Sequence, residues 1–172
     1  MPTYVCLLRG VNVGGKNKLP MKALSELFES LGYAGVRTFI QSGNVVFSSQ
    51  AKPAPAKLKA AIADLLSLEV PVVVRSAAEL KRVVAANPFD DVERVHVAFM
   101  GAKPAAAAVR SLEPGPFEPE RFAVKGTEIY LYLPNGMGRT KLPSYLDRRL
   151  KGDATIRNWK TTCRLAEMAG QA

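Results

Sequence analysis

The 172-residue sequence contains few of the residues on which most catalytic and metal sites are built: it has one histidine and two cysteines. Two cysteines are too few for the disulfide framework of a small secreted domain, and Cys6 and Cys163 lack metal-ligand spacing. His96 has no cysteine or carboxylate at metal spacing, and no Gly-x-Ser-x-Gly segment could supply a hydrolase nucleophile. We therefore interpret His96 as structural and expect neither a zinc site nor a serine hydrolase.

Long apolar runs are also missing. No stretch approaches the roughly 20 apolar residues needed to span a bilayer. The N-terminal segment MPTYVCLLRG is typical of a strand, and it lacks the basic start and the small-residue cleavage site of a signal peptide. We therefore expect a cytoplasmic protein with no membrane association, whose mature form begins near Met1.

Positive charge is abundant, with a formal net charge of +9. Eight basic residues lie in the C-terminal third, opposed only by Asp147 and Asp153: Arg139, Lys141, Arg148, Arg149, Lys151, Arg157, Lys160 and Arg164. Such a segment attracts phosphates and nucleic acids, but it can equally be the solvated face of helices. Charge alone names no partner.

Hydrophobic periodicity in the N-terminal half predicts the order β-α-β-β-α-β. The predicted elements are a strand at 3–9, a helix at 21–31, strands at 36–41 and 44–49, a helix at 55–67 and a strand at 70–75. This order is that of the ferredoxin-like unit, in which two helices cover one face of a four-stranded antiparallel sheet. With a bridging helix at 77–86, residues 1–86 form the first predicted subdomain.

The second half partly repeats this order. The predicted elements are a strand at 94–100, a short helix from Pro104, a hairpin of 120–125 with 128–133, and helices at 143–150 and 157–169. Helices thus replace the final strand, which gives a related βαββα subdomain over residues 87–172. The predicted fold class is α+β, with two ferredoxin-like subdomains and antiparallel sheets.

The segment between the first strand and the first helix has a composition suited to oxyanions. We call residues 9–19 the Gly/Lys loop; the segment LRGVNVGGKNKLPM, which contains it, has three glycines, two asparagines and two lysines. Glycines let backbone N–H groups turn inward, lysines add charge, and the first N–H groups of a helix lack intrahelical partners. Gly10 to Lys16 resembles part of a P-loop, but Asn17 replaces its magnesium-binding Ser or Thr, so an ATPase is rejected. A plain connection that turns the chain is the alternative.

Topology brings a second group to this loop. In a split βαβ unit the third strand lies antiparallel beside the first, so Arg9 should approach the Ser42-Gly43-Asn44 turn, which we call the SGN hairpin. The two segments together offer donors for phosphate or carboxylate. The predicted ligand-binding residues here are Arg9, Asn12, Gly14, Gly15, Lys16, Asn17, Lys18, Ser42, Gly43 and Asn44.

Four segments resemble the signatures of one bacterial family. YVCLLRGVNVGGKNKLPM, TFIQSGNVVF, ANPF and TIRNWKTTCRLAEMA are similar to those of the family of domain of unknown function 1697, whose structures imply two ferredoxin-like subdomains. The resemblance implies no activity, and it adds Arg157 and Asn158 to the predicted ligand-binding residues. In the helix predicted at 157–169, Trp159, Cys163 and Ala166 are assigned to a buried stripe, and Arg157, Lys160 and Arg164 to the opposite face.

The leading hypothesis is a protein that binds a small anionic or phosphorylated ligand at the Gly/Lys loop and the SGN hairpin, and whether it is an enzyme stays open. No cofactor and no metal are predicted, since the acidic residues Asp90, Asp91 and Glu93 are interpreted as a solvated loop. The alternative is a nucleic-acid-binding module that uses the basic C-terminal third. The third strand, NVVFSS, lacks the aromatic run of an RNA-recognition motif, which disfavours that alternative. A scaffold without a ligand remains a third hypothesis, and the sequence does not indicate an oligomeric state.

Overall fold

The chain divides into two α+β units, each built on a four-stranded antiparallel sheet. The structure is a computed structural model that describes residues 1–152 and 154–171. One unit comprises Met1–Val84 together with the residues from Cys163 onward, and the other comprises Ala85–Thr162. The sequence placed the residues from Cys163 onward in the second subdomain, whereas their contacts group them with the first unit.

The first unit has the predicted βαββαβ order. Its elements are β1 (Thr3–Leu8), α1 (Met21–Ser30), β2 (Ala34–Thr38), β3 (Asn44–Ser48), α2 (Pro55–Leu66) and β4 (Val72–Ser76), followed by α3 (Ala77–Ala85). The strands lie in the order β2-β3-β1-β4, with antiparallel pairing throughout. The ferredoxin-like arrangement predicted for this half is confirmed.

The core of the first unit forms where the apolar sides of α1 and α2 meet one face of the sheet. Leu24 and Phe28 of α1 and Ile62 of α2 are fully buried, because helical spacing places their side chains on the sheet-facing side. The Phe28 ring lies 5.2 Å from the Phe47 ring of β3, centroid to centroid. The end of β1, from which the Gly/Lys loop leaves, is part of the same core, since Leu8 and Val11 are buried in it.

Strand β2 lies two to three residues earlier than predicted. The structure places it at Ala34–Thr38, not 36–41. It ends before Ile40 because that residue has a φ of 50°, a left-handed conformation that is incompatible with a strand and rare for a β-branched residue. The hairpin with β3 is nevertheless confirmed, and the Phe39 N–H donates to the Asn44 carbonyl at 3.1 Å.

The second unit also has a βαββαβ order. Its elements are β5 (Val95–Phe99), α4 (Ala106–Arg110), β6 (Arg121–Lys125), β7 (Glu128–Tyr132), α5 (Leu142–Leu150) and β8 (Thr155–Asn158). The strands lie in the order β6-β7-β5-β8 and pair antiparallel. Ile129 and Leu131 of β7 pack with Leu142 and Leu146 of α5 in its core.

The prediction that helices replace the last strand is wrong. Residues 155–158 form β8, which pairs with β5 so that Asn158 lies opposite His96. The final helix, α6 (Trp159–Gly170), begins only after Asn158, whose side-chain oxygen accepts a hydrogen bond from the Thr161 N–H at 2.8 Å. That bond is a helix N-cap, so the chain is extended before it.

The buried stripe of α6 also differs from the prediction. Trp159, Cys163 and Ala166 are only half-buried, and the buried residues are Thr161, Thr162, Leu165, Met168 and Ala169. Arg157 belongs to β8 and therefore cannot share a helical face with Lys160 and Arg164. Arg157 is itself buried, with 7% of its surface exposed.

The helices are short. The longest in the described part of the chain, α2 and α6, have 12 residues each. None of the described helices is long and apolar enough to cross a bilayer, for which about 20 residues are needed.

Candidate functional site

The tip of the Gly/Lys loop is a tight β-hairpin. The Lys16 N–H donates to the Val13 carbonyl at 2.9 Å, and Gly14 and Gly15 between them have φ values of 57° and 74°. Two consecutive residues with positive φ are the mark of a type I′ turn, which glycine adopts without steric penalty. The two glycines therefore turn the chain at an exposed tip, where the side chain of Val13 projects into solvent.

Asn12 holds the base of this hairpin. Its side-chain nitrogen donates to the carbonyls of Leu19 and Gln41, at 2.9 and 2.7 Å, and its side-chain oxygen accepts from the Leu19 N–H at 2.8 Å. The amide thus uses both of its N–H groups on the backbone. Asn12 was predicted to bind ligand, and the structure shows it joining the two ends of the loop and tying them to the β2–β3 connection.

Asn17 acts in the same way on the other side of the hairpin. Its side-chain nitrogen donates to the Gly10 carbonyl at 3.1 Å, and its carbonyl accepts from the Asn12 N–H at 3.1 Å. The sequence left open whether Asn17 folds back onto the start of α1. It does not, because Pro20 is the N-cap and no side chain caps that helix end.

Lys16 and Lys18 are the exposed cations of the loop. Among residues 1–152 and 154–171, neither lysine makes an ion pair or a side-chain hydrogen bond. The nearest acidic residue along the chain is Glu26, so residues 1–25 contain four basic residues and no acidic one. The first turn of α1, which adds the positive end of a helix dipole, also contains no acidic residue.

The SGN hairpin lies against the end of β1, as predicted. The Leu8 N–H donates to the Gly43 carbonyl at 2.9 Å, and Leu7 is paired with Asn44. A Cβ atom on Gly43 would lie 2.7 Å from Val11 Cγ2 and 2.9 Å from Leu8 Cβ. Glycine therefore permits the close approach that brings the two segments together.

Within the SGN hairpin, the side chains of Asn44 and Ser42 form a hydrogen bond with each other. Asn44 is fully buried, and its side-chain nitrogen donates to the Phe39 carbonyl at 2.8 Å and to Ser42 Oγ at 2.9 Å. Arg9 is half-buried and follows directly after β1. Its backbone N–H donates to the Pro71 carbonyl at 3.0 Å. The structure thus brings the end of β1 and the start of the Gly/Lys loop together with the SGN hairpin, while the asparagines serve mainly to shape these segments.

Arg157 and Asn158 lie in the second unit, on β8. The Arg157 guanidinium donates to the Ile156 carbonyl at 3.0 Å, and Asn158 caps α6. Both residues therefore have defined structural roles in their own unit. They were predicted from the family resemblance as ligand-binding residues, and no contact of either residue demonstrates binding.

Titratable groups in the second unit are perturbed by burial. Desolvation lowers the pKa of His96 below its ordinary value, and its Nδ1 atom is buried with no hydrogen-bond partner in the described part of the chain. Burial and the charge of Glu128 raise the pKa of Tyr130 to about 12. No group of three or more described His, Cys, Asp or Glu side chains is arranged to hold a metal ion.

A second basic loop, formed by residues 135–143, resembles the Gly/Lys loop and was not predicted. Residues 12–20, NVGGKNKLP, and residues 135–143, NGMGRTKLP, share Asn, Gly, a cation, Lys, Leu and Pro at the same six positions. Arg139 and Lys141 thus correspond to Lys16 and Lys18, and the second copy leads into α5 as the first leads into α1. Arg139 and Lys141 were predicted only as part of a basic segment, whereas the similarity of residues 12–20 to residues 135–143 identifies them as a repeat.

Comparison with known proteins agrees with this architecture. The profile of a family described as "Protein of unknown function (DUF1697)" matches residues 1–130. A solved structure, that of the conserved bacterial protein SP0830 from Streptococcus pneumoniae, is similar over 98% of both chains, with 26% sequence identity and a TM-score of 0.69. No curated protein matches the chain significantly.

Proposed function

We propose that this chain, which belongs to the DUF1697 family, binds a small anionic or phosphorylated ligand at the Gly/Lys loop and the SGN hairpin. The family name gives no activity, so the proposal is based on the geometry of the first unit. The observation that carries the proposal is the pair of exposed lysines, Lys16 and Lys18, neither of which has an acidic partner within the described residues. An oxyanion at this position would be bound by two cations that no carboxylate of the described residues neutralises.

The shape of the loop supports binding because it is already formed by the protein itself. The side chains of Asn12 and Asn17 close it through four hydrogen bonds of 2.7–3.1 Å. A preformed loop loses little conformational entropy when a ligand binds, so more of the interaction energy contributes to affinity. The uncapped first turn of α1 adds N–H groups and a positive dipole end.

The groups assigned to this site are cations and N–H donors. Such groups bind and orient an oxyanion. The proposed function is therefore ligand binding, and it includes no chemical reaction. The low cysteine content, two in 172 residues, fits a reducing compartment, and we place this function in the cytoplasm.

A nucleic-acid-binding role is the second candidate. Arg148, Arg149 and Lys151 are exposed at the end of α5, where they could contact a phosphate backbone. Two features argue against nucleic-acid binding by the second unit. Arg157 is buried, and Tyr130 is only 1% exposed, so the tyrosine ring is not available to stack on a base. Affinity of this kind would rest on charge and fall steeply with salt.

Thermal unfolding with and without ligands tests the proposal. The panel contains inorganic phosphate, pyrophosphate, adenosine 5′-monophosphate, glucose 6-phosphate and citrate. The test variant is Lys16→Ala/Lys18→Ala, and the control is Lys57→Ala/Lys59→Ala, which removes two exposed lysines with the same spacing from α2. A ligand at a hundredfold excess over its Kd should stabilise the folded state by about 2.7 kcal/mol.

We expect at least one anion to raise the Tm of the wild type and of the control variant but not that of the test variant. Equal stabilisation of all three proteins would contradict the proposal. Binding of RNA or duplex DNA that is lost in an Arg148→Ala/Arg149→Ala variant, with no response to the small anions, would favour the second candidate.

A further inference from the structure

A cavity in the second unit is lined by charged groups of both signs. It has a volume of about 480 Å³, within the range of roughly 300–1,000 Å³ that is typical of small-molecule sites. One side comes from the segment that precedes β6, with Phe117, Glu118 and Glu120, and the other from the second basic loop, with Arg139, Thr140 and Lys141. All of these residues belong to one unit.

The four charges of this cavity do not neutralise one another directly. Within residues 1–152 and 154–171, Glu118, Glu120, Arg139 and Lys141 make no ion pair, so no carboxylate oxygen lies within 4.0 Å of either cation. The two cations and the two carboxylates therefore line the cavity as separate, unpaired charges within the described residues. A purely anionic ligand would be attracted by the cations and repelled by the carboxylates.

From this charge arrangement we propose that the cavity binds a small amphoteric ligand, with its anionic group at Arg139 and Lys141 and its ammonium group at Glu118 and Glu120. Such a ligand satisfies both sets of charges at once, whereas a ligand of one sign satisfies only one. This inference concerns a site separate from the Gly/Lys loop and does not depend on the function proposed for the first unit.

The walls of the cavity are held by the protein itself. The Phe117 N–H donates to the Pro114 carbonyl at 3.1 Å, and the Glu120 N–H donates to the Phe117 carbonyl at 2.8 Å. The Phe117 ring packs against Tyr145 of α5, with 4.7 Å between centroids. Since these contacts shape the segment that carries both glutamates, little ordering is needed when a ligand enters.

The repeated sequence supports the anionic half of the site. Arg139 and Lys141 occupy the positions of Lys16 and Lys18, and the leucine that follows is buried in both copies, as Leu19 and Leu142. The Leu142 N–H donates to Thr140 Oγ1 at 3.2 Å, which fixes the loop next to α5. The two units thus contain the same pattern of cations, and in the second unit Arg139 and Lys141 line one cavity together with Glu118 and Glu120.

Calorimetric titration of the full chain with three related probes tests this inference. Glucosamine 6-phosphate carries both charges, glucose 6-phosphate carries only the phosphate, and glucosamine carries only the ammonium group. All titrations use a Lys16→Ala/Lys18→Ala background, so that binding at the Gly/Lys loop does not contribute. In this background Arg139→Gln and Glu120→Gln are the test variants, and Arg148→Gln and Glu93→Gln, which neutralise exposed residues away from the cavity lining, are their controls.

We expect glucosamine 6-phosphate to bind at least tenfold more tightly than either partial probe. Arg139→Gln should weaken its binding at least tenfold, and Glu120→Gln should reduce its affinity toward that of glucose 6-phosphate without weakening glucose 6-phosphate itself. The control variants should stay within twofold of the background protein. The inference is overturned if glucosamine 6-phosphate does not bind, if glucose 6-phosphate binds equally well, or if the controls lose as much affinity as the test variants.

Discussion

The side chain of Asn12 and the backbone of Leu19 form a reciprocal pair of hydrogen bonds, with the amide nitrogen donating to the Leu19 carbonyl at 2.9 Å and the amide oxygen accepting from the Leu19 N–H at 2.8 Å. The side-chain amide thus pairs with Leu19 as a peptide group of a neighbouring strand would. It closes the Gly/Lys loop, so that the two exposed lysines sit on a rigid turn rather than on a free connection.

Replacing Asn12 with alanine should therefore destabilise the protein more than the same change at Asn17. Both residues have a left-handed φ, of 56° and 50°, so the conformational penalty of alanine is similar at the two positions. Asn12→Ala removes three side-chain bonds and Asn17→Ala removes one. We expect a difference in the free energy of unfolding of about 1–3 kcal/mol, from the polar groups left without partners, measured by urea denaturation. Equal losses would show that the Asn12 bonds do not hold the loop.

Gly43 should tolerate no side chain. Its φ is 85°, and an added Cβ atom would contact Val11 and Leu8 at less than 3.0 Å. We expect Gly43→Ala to reduce the free energy of unfolding by about 2–4 kcal/mol, the sum of left-handed strain and overpacking. Gly14→Ala is the control, because Gly14 has a φ of 57° but open space around it. This variant should lose only the part of the unfolding free energy that comes from left-handed strain. If the two variants unfold at the same urea concentration, close packing at Gly43 is not what joins the SGN hairpin to β1.

The elements that the sequence predicted well are those with a clear apolar pattern. Helices α1 and α2 have apolar positions at helical spacing, and strands β1, β3 and β7 are short, mostly buried runs. Strand β8 was missed because it has only four residues, and because Arg157, Lys160 and Arg164 have spacings that also fit one helical face. The cap formed by Asn158 marks where the strand ends and the helix begins.

The candidate site shows a different limit of sequence reasoning. The residue types of the Gly/Lys loop indicate hydrogen-bond donors, but an asparagine amide can donate to a ligand or to the backbone with equal chemistry. Asn12 and Asn17 donate to the backbone, and this depends on the left-handed conformations of the residues themselves and on the turn at Gly14 and Gly15. Lys16 and Lys18 are exposed, and their binding of a ligand stays a prediction.

Protonation of His96 should destabilise the protein in mild acid. Burial lowers the pKa of this residue below the ordinary value of 6.5, so as the pH falls below 6.5 the unfolded chain takes up a proton before the folded chain does. Stability is therefore full above this pH and is lost as the pH falls. His96 is the only histidine, so the difference in unfolding free energy between the wild type and His96→Gln should change between pH 6.5 and 5. Parallel pH profiles for the two proteins would contradict the assignment.

Tyr130 should have the opposite effect in alkali. Burial, with a smaller contribution from the charge of Glu128, raises its pKa to about 12 from an ordinary value of 10.0. The unfolded chain therefore loses the phenolic proton first, and stability should fall as the pH rises from 10 toward 12. The loss amounts to roughly 2–3 kcal/mol for a shift of this size. Tyr130→Phe should remove this part of the pH dependence in chemical denaturation; a slope unchanged from the wild type would mean that another group is responsible.

Amide chemical-shift mapping with pyrophosphate tests the central claim, that Lys16 and Lys18 form an anion site, most directly. In a series of ¹H–¹⁵N spectra of the full chain, the largest saturable shifts are expected for residues 9–23, which comprise the Gly/Lys loop and the first turn of α1, and for the SGN hairpin at residues 42–44. The same shifts should persist in Lys57→Ala/Lys59→Ala and disappear in Lys16→Ala/Lys18→Ala. Saturable shifts that leave both the Gly/Lys loop and the SGN hairpin unaffected, or that survive the loss of Lys16 and Lys18, would contradict the account.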